Sequence, residues 1–188
     1  LMKLRLLVLA LGSLLSFAAI SQTTYPNKTV RIVVPFAAGG ATDIVSRILA
    51  QKLTESWGQS VVVENRGGAG GNIGAVEVVR AAPDGYTLLM TSGSIVTANQ
   101  HIYKNMGFDP KADLMPITMV SSGPQVVVVN PNLPVKTLKE LIELAKKQPL
   151  FFGSSGSGTS IHLSGELFNT LAGVKMQHVP YKGRAEAI

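Results

Sequence analysis

Val33-Val34-Pro35-Phe36-Ala37-Ala38-Gly39-Gly40-Ala41-Thr42-Asp43, VVPFAAGGATD, changes character twice in a short span. Val30 to Pro35 is a β-branched apolar run without polar alternation, the pattern of a strand buried on both faces. The glycine pair then breaks the run. Ile44, Val45, Ile48, Leu49 and Leu53 follow at helical spacing and predict a core-facing stripe on a helix from Thr42 to Glu55. A helix N-terminus leaves backbone N–H groups unpaired and carries the positive end of the helix dipole. Strand, small-residue loop and helix start therefore make a possible anion cradle.

The same unit recurs along the chain. Ser60 to Glu64 (SVVVE) predicts a second strand, Asn65 to Gly71 (NRGGAGG) a glycine-rich loop, and Asn72 to Ala82 a helix. Pro83-Asp84-Gly85 is a turn, and Tyr86 to Met90 a third strand closed by Thr91-Ser92-Gly93-Ser94. This β-α-β-α-β order argues for a parallel sheet covered by helices. Ile117 to Val120 and Gln125 to Val129 read as two further strands, with Ser121-Ser122-Gly123-Pro124 between them as a candidate hinge. Thr137-Leu138-Lys139-Glu140 is a capping box opening another helix. Leu150 to Gly153 and Val174 to Val179 read as strands. The helix between them, Thr159 to Leu171, carries Leu163, Leu167, Phe168 and Leu171 on its expected core stripe and follows the small-residue loop Ser154 to Gly158.

Composition narrows the function classes. The 188 residues contain no cysteine, which excludes disulfides, thiol catalysis and cysteine metal sites. The formal net charge is +6, but its lysines and arginines are scattered and do not interleave with aromatics, so nucleic-acid binding lacks support. Lys3 and Arg5 precede a charge-free, leucine-rich run from Leu6 to Ile20, and Ala19-Ile20-Ser21 supplies a small-residue cleavage pattern. The run falls short of the roughly 20 residues a membrane span needs. Residues 1–21 are therefore expected to be a cleaved secretory signal.

Catalytic and cofactor motifs fare poorly. Gly68 and Gly70 begin a dinucleotide fingerprint, but Ile73 stands where its third glycine belongs. No Walker loop is present. Gly153-Ser154-Ser155-Gly156-Ser157 misses the G-x-S-x-G nucleophile elbow by one place. With His101, His162 and His178 available, a serine hydrolase stays open as an alternative. The histidines lack metal-ligand spacing, so no metal and no cofactor is expected. Asp43, in a first helical turn, either caps the helix and shapes the loop or accepts from a ligand donor.

Several blocks carry a family likeness. They are Tyr25 to Phe36 (YPNKTVRIVVPF), Gly39 to Asp43 (GGATD), Val62 to Arg66 (VVENR) with Gly68 to Gly74 (GAGGNIG), and Ala82 to Leu88 (APDGYTL). Gly153 to Thr159 (GSSGSGT) with His162-Leu163, and His178 to Gly183 (HVPYKG), complete the set. In this order they resemble the substrate-binding receptors of tripartite tricarboxylate transporters, the Bug-type periplasmic proteins. The resemblance implies an α/β, type II periplasmic-binding-protein fold, with two lobes of mainly parallel sheet closing on a small carboxylate. It also implies delivery of that ligand to integral-membrane transporter subunits, by a periplasmic monomer without catalysis. The loop from Phe36 through Ala38, Gly39 and Gly40 to Asp43 would hold a carboxylate, with Asn72, Ser92 and Ser94 on the same lobe. Ser154, Ser157, Gly158, Thr159, His162 and Tyr181 would face it from the other lobe.

Three departures from the family pattern stand out. Gly67 occupies a place where the family usually has proline, and Gln148-Pro149-Leu150 is shorter than its equivalent. After Gly183 the family usually continues with small residues and proline, whereas this chain has Arg184-Ala185-Glu186-Ala187-Ile188. Family members also run further. The expected organisation is a first lobe over 22–123 and a partial second lobe over 124–188, as in a truncated receptor. A carboxylate-sensing module acting on a sensor protein, and a nonfunctional remnant, are the remaining alternatives.

Overall fold

The computed structural model describes residues 24–188, so the leader read at 1–21 lies outside the described residues. Strand β1 (Val30–Val34) lies at the centre of a three-stranded sheet, between β2 (Val61–Asn65) and β3 (Thr87–Leu89). Both pairings are parallel, with Ile32 opposite Val63 on one side and Leu88 on the other. A central strand is covered on both faces, and Val30, Ile32, Val33 and Val34 are all buried. Each such side chain contributes about 1.5–3 kcal/mol by leaving water. Arg31 departs from the apolar run. Its guanidinium stays half-exposed and meets Glu64 at 2.7 Å and Glu77 at 2.8 Å.

Helix α1 (Ala41–Trp57) crosses from β1 to β2, and α2 (Asn72–Val79) crosses from β2 towards β3. The core joins Val30, Ile32, Val34, Phe36, Ala50, Val61, Ala75 and Ile95. Helix α1 ends at Gly58, whose left-handed backbone (φ 66°) lets its N–H reach the Thr54 carbonyl at 3.0 Å. Two short helices not expected from the sequence, α3 (Gly93–Thr97) and α4 (Asn99–Ile102), follow β3.

The second sheet pairs β4 (Phe151–Ser154) with β5 (Gln177–Pro180) in parallel. Helix α5 (Leu138–Lys147) precedes it, opened by the full Thr137/Glu140 capping box. Helix α6 (Ser160–Ala172) connects the two strands, and α7 (Arg184–Ala187) follows β5. β5 starts later than the expected Val174. The Asn169 side chain accepts the Met176 N–H at 3.1 Å and donates to its carbonyl at 2.9 Å, tying that backbone to the helix instead of to β4. Among the described residues no helix is long and apolar enough to cross a membrane.

Three expectations are corrected. The runs 117–120 and 125–129 are not strands: no described segment pairs with them, and their apolar side chains are exposed. An apolar β-branched run becomes a strand only when another backbone satisfies its N–H and C=O groups. The stripe on α1 is also displaced. Asp43, Ser46 and Ala50 face inward, whereas Ile44 and Ile48 are exposed. On α6, Leu163, Leu167 and Leu171 are exposed as well, because the two-stranded sheet covers a narrow part of that helix.

Candidate functional site

Two of the expected cradles open on one cleft of about 150 Å³. The first wall is the β1–α1 loop and helix start, with Phe36, Gly40, Ala41 and Thr42, joined by Ser92 from the end of β3. The second wall is Ser155, Thr159, Ser160 and Ile161, the loop and first turn at the start of α6. Arg184 at the start of α7 completes the lining. Gly40 is the N-cap of α1, and Thr159 that of α6. Two helix N-termini from different sheets thus offer free N–H groups and positive dipole ends to one small volume. The lining contains hydroxyls from Thr42, Ser92, Ser155, Thr159 and Ser160, and no carboxylate. Such a site suits an anion smaller than the drug-sized ligands that fill roughly 300–1,000 Å³.

The walls are held in place from behind. Asp43 is buried and its carboxylate is fully engaged. It accepts from the Gly39 N–H at 2.9 Å, the Asn65 amide at 2.9 Å and the Arg47 guanidinium at 3.0 Å. Burial pushes the Asp43 carboxyl up, but Arg47, Gly39 and Asn65 together outweigh it and hold it below the usual aspartate value. Asn65 also donates to the Phe36 carbonyl at 3.1 Å, so one cluster fixes the loop from Phe36 to Asp43. Gly39 and Ala38 lie exposed on its rim.

Ser154 does the equivalent work under the second wall. Its hydroxyl is 1% exposed, accepts the Gly156 N–H at 3.1 Å and lies 2.6 Å from His178 Nε2. A serine–histidine pair of this kind invites comparison with a hydrolase. Ser154, however, faces the turn behind the loop and does not line the cleft. His178 packs against His162 with ring centroids 3.9 Å apart and the rings tilted by 34°, and His162 Nδ1 accepts the Gly158 N–H at 3.2 Å. Burial, with His162 beside it, pushes the His178 imidazole below its ordinary value against the opposing pull of Glu166. Among the described residues no group of three or more histidine, aspartate or glutamate side chains could hold a metal.

The two walls touch directly. The Ala37 N–H donates to the Lys182 carbonyl at 3.1 Å, and the Tyr103 hydroxyl to the Ser157 carbonyl at 2.8 Å. Gly70 lies against Ser157 and Tyr103 with φ 61°, a place and a conformation that exclude a side chain. Of the expected residues, then, Phe36, Gly40, Ser92 and Thr159 line the cleft. Ser157 and Gly158 form the contact between the walls, and Ser94 bonds Ser92 at 2.9 Å from a buried position. Asn72 is buried away from the cleft, accepting from Asn99 at 2.8 Å; Tyr181 lies near Gly153, also outside it. Ala41, Thr42, Ser160, Ile161, Arg184 and Ser155, the last inside the predicted small-residue loop, were not singled out as site residues from the sequence. The first four follow from helix starts one residue away from those expected, whereas Arg184 was visible as a departure from the family pattern.

A second hollow, about 600 Å³, lies beside α2 with Arg31, Glu77, Arg80 and Tyr103 among its lining. Arg31 and Glu77 are already paired there, Arg31 holding Glu64 and Glu77 and Arg66 reaching Glu77 at 3.0 Å, whereas Arg80 forms no ion pair among the described residues. An anion there would compete with these carboxylates for Arg31.

Comparison with known proteins agrees with the fold. Residues 45–188 match the family described as "Tripartite tricarboxylate transporter family receptor". Protein BugT of Bordetella pertussis is 40% identical over 174 residues, which are 91% of this chain and 53% of that protein. A solved structure of R. palustris Rpa4515 with adipate is 41% identical, with a TM-score of 0.84, covering 87% of this chain and 55% of that one. MatC from Rhodopseudomonas palustris with bound malate is 30% identical, with a TM-score of 0.76, covering 87% and 56%. The chain spans about half the length of the relatives it matches.

Proposed function

The chain belongs to the tripartite tricarboxylate transporter receptor family, and from this and the cleft we propose that it is a periplasmic receptor for a small carboxylate, passed on to integral-membrane transporter subunits. The observation that carries the proposal is the convergence of two helix N-termini, α1 and α6, on one cleft free of carboxylates. The adipate and malate held by two relatives support the ligand class. Residues 22–123 and 124–188 are the two lobes of this reading, and each contributes one wall.

The chemistry is capture without bond making. Backbone N–H groups of Gly40 to Thr42 and of Ser160 and Ile161 donate to one carboxylate, with Phe36 giving an apolar side and Ser92 a hydroxyl contact, while the Thr159 hydroxyl stays committed to the Gly156 carbonyl at 2.7 Å. Asp43, Gly39, Ser154 and His162 keep those donors aimed. Ala38, Asn72, Ser94, Ser157, Gly158 and Tyr181 act at the rim, behind the walls or at the lobe contact. A ligand touching both walls stabilises the closed arrangement, in which Ala37 meets Lys182 and Tyr103 meets Ser157.

The test is thermal unfolding with mono-, di- and tricarboxylates. A ligand at 100 times its Kd adds about 2.7 kcal/mol. A carboxylate that raises the melting temperature in a saturable way supports the reading. A cooperative melt that none of them moves overturns it.

A further inference from the structure

We infer that Arg184 is a specificity residue of the cleft, anchoring a second carboxylate so that short dicarboxylates are preferred over monocarboxylates of equal length. The inference rests on the proposal that the cleft takes a carboxylate, and it adds the charge state of the ligand. Arg184 is the one ionisable side chain among the residues lining the cleft. Among the described residues it forms no ion pair within 4.0 Å, whereas Arg31, Arg47 and Arg66 are all engaged by carboxylates; Arg80, the other arginine without an ion pair there, lines the hollow beside α2 and not this cleft. The nearby Glu186 carboxylate is occupied by the Lys182 N–H at 3.0 Å.

The position of Arg184 is set by the backbone before it. Lys182 accepts from the Ala37 N–H, and Gly183 is buried so close to Ala37 that a Cβ there would lie 2.6 Å from the Ala37 Cβ. These contacts pin the turn leading into Arg184 against the loop of the first wall. Arg184 thereby lines the cleft from a third element, apart from the two helix N-termini.

Charge decides how many carboxylates fit. Each helix N-terminus is equivalent to roughly +0.5 of an elementary charge, so the two together offset about one negative charge. The buried Asp43 does not cancel this, because Arg47 neutralises it. Arg184 adds one full positive charge in a fork that matches a carboxylate. The cleft therefore balances two negative charges, and its 150 Å³ confines them to a short molecule.

Calorimetric titration of the full chain with succinate, glutarate and adipate, each against butyrate, pentanoate or hexanoate of matched length, tests this. The wild type should favour at least one dicarboxylate over its matched monocarboxylate by about tenfold or more. Arg184→Gln should bring that ratio close to one by weakening dicarboxylate binding far more than monocarboxylate binding, and Arg184→Lys should restore part of it. Arg184 is exposed, so these variants leave the core intact. Equal binding of matched pairs by the wild type overturns the inference and leaves the receptor reading standing. So does a loss of mono- and dicarboxylate binding in equal proportion in Arg184→Gln, which marks one carboxylate shared by all donors. Binding of neither class overturns both.

Discussion

Replacing Asp43 by alanine probes how the first wall is built. The carboxylate is 3% exposed and takes hydrogen bonds from Gly39, Asn65 and Arg47. A hydrogen bond to a charged group contributes about 1.5–3 kcal/mol. Arg47 is half-exposed, so water replaces its lost partner, whereas the Asn65 amide is left with the Phe36 carbonyl alone. The expected net loss is about 2–4 kcal/mol, and at about 2–4 °C per kcal/mol the melting temperature falls by about 4–16 °C. Asp43→Asn keeps one acceptor and should fall between. The sign with pH follows from the lowered carboxyl pKa. The wild-type advantage is complete above the ordinary aspartate value of 3.8 and is lost as pH falls through the lower folded value. Circular dichroism melts at pH 7 and at descending pH read both effects. A loss under about 0.5 kcal/mol at pH 7, the size of an ordinary surface substitution, would refute the assignment of Asp43 as the keystone of this loop.

Gly70→Ala places a methyl group against the Ser157 carbonyl and the Tyr103 hydroxyl in a left-handed conformation. It should cost at least about 1–2 kcal/mol and weaken carboxylate binding, as read by melting and titration. Thr137→Ala removes the acceptor of the Glu140 N–H at 3.2 Å and should cost about 1 kcal/mol, with no change in ligand affinity. His178 has a folded pKa below its ordinary 6.5, so its contribution is complete above pH 6.5 and is lost as pH falls through the folded value. A stability–pH series should show that decline in the wild type and a flatter profile in His178→Gln; parallel profiles would sink the idea.

The sequence and the structure agree where the decisive information is local. VRIVV, with its apolar side chains on both faces, can be little other than a central strand, and the glycine pair after it marks the turn into α1. The capping box at Thr137 carries its own hydrogen-bond pattern and appears as expected. The disagreements all involve partners distant in the chain. Periodicity placed Ile44 and Ile48, and Leu163 and Leu167, on stripes, but whether a stripe is covered depends on what packs against it. The apolar runs 117–120 and 125–129 have strand composition and lack a pairing backbone among the described residues. At the site, the two cradles were legible as helix starts, and their convergence was expected only through the family resemblance. Nor does sequence spacing reveal that Ser154 meets His178, which lies across the β4–β5 pair. Arg184 had no local motif at all; its role comes from Gly183 docking on Ala37.

The central claim is that one carboxylate lies between the N-termini of α1 and α6. An amide nitrogen–proton NMR titration with succinate, glutarate and adipate tests it most directly. The account predicts saturable shifts concentrated on the amides of Gly40, Ala41, Thr42, Ser160 and Ile161, the donors that line the cleft. Shifts centred instead on Arg31, Glu77 and Arg80 beside α2, or none at saturating ligand, would contradict it.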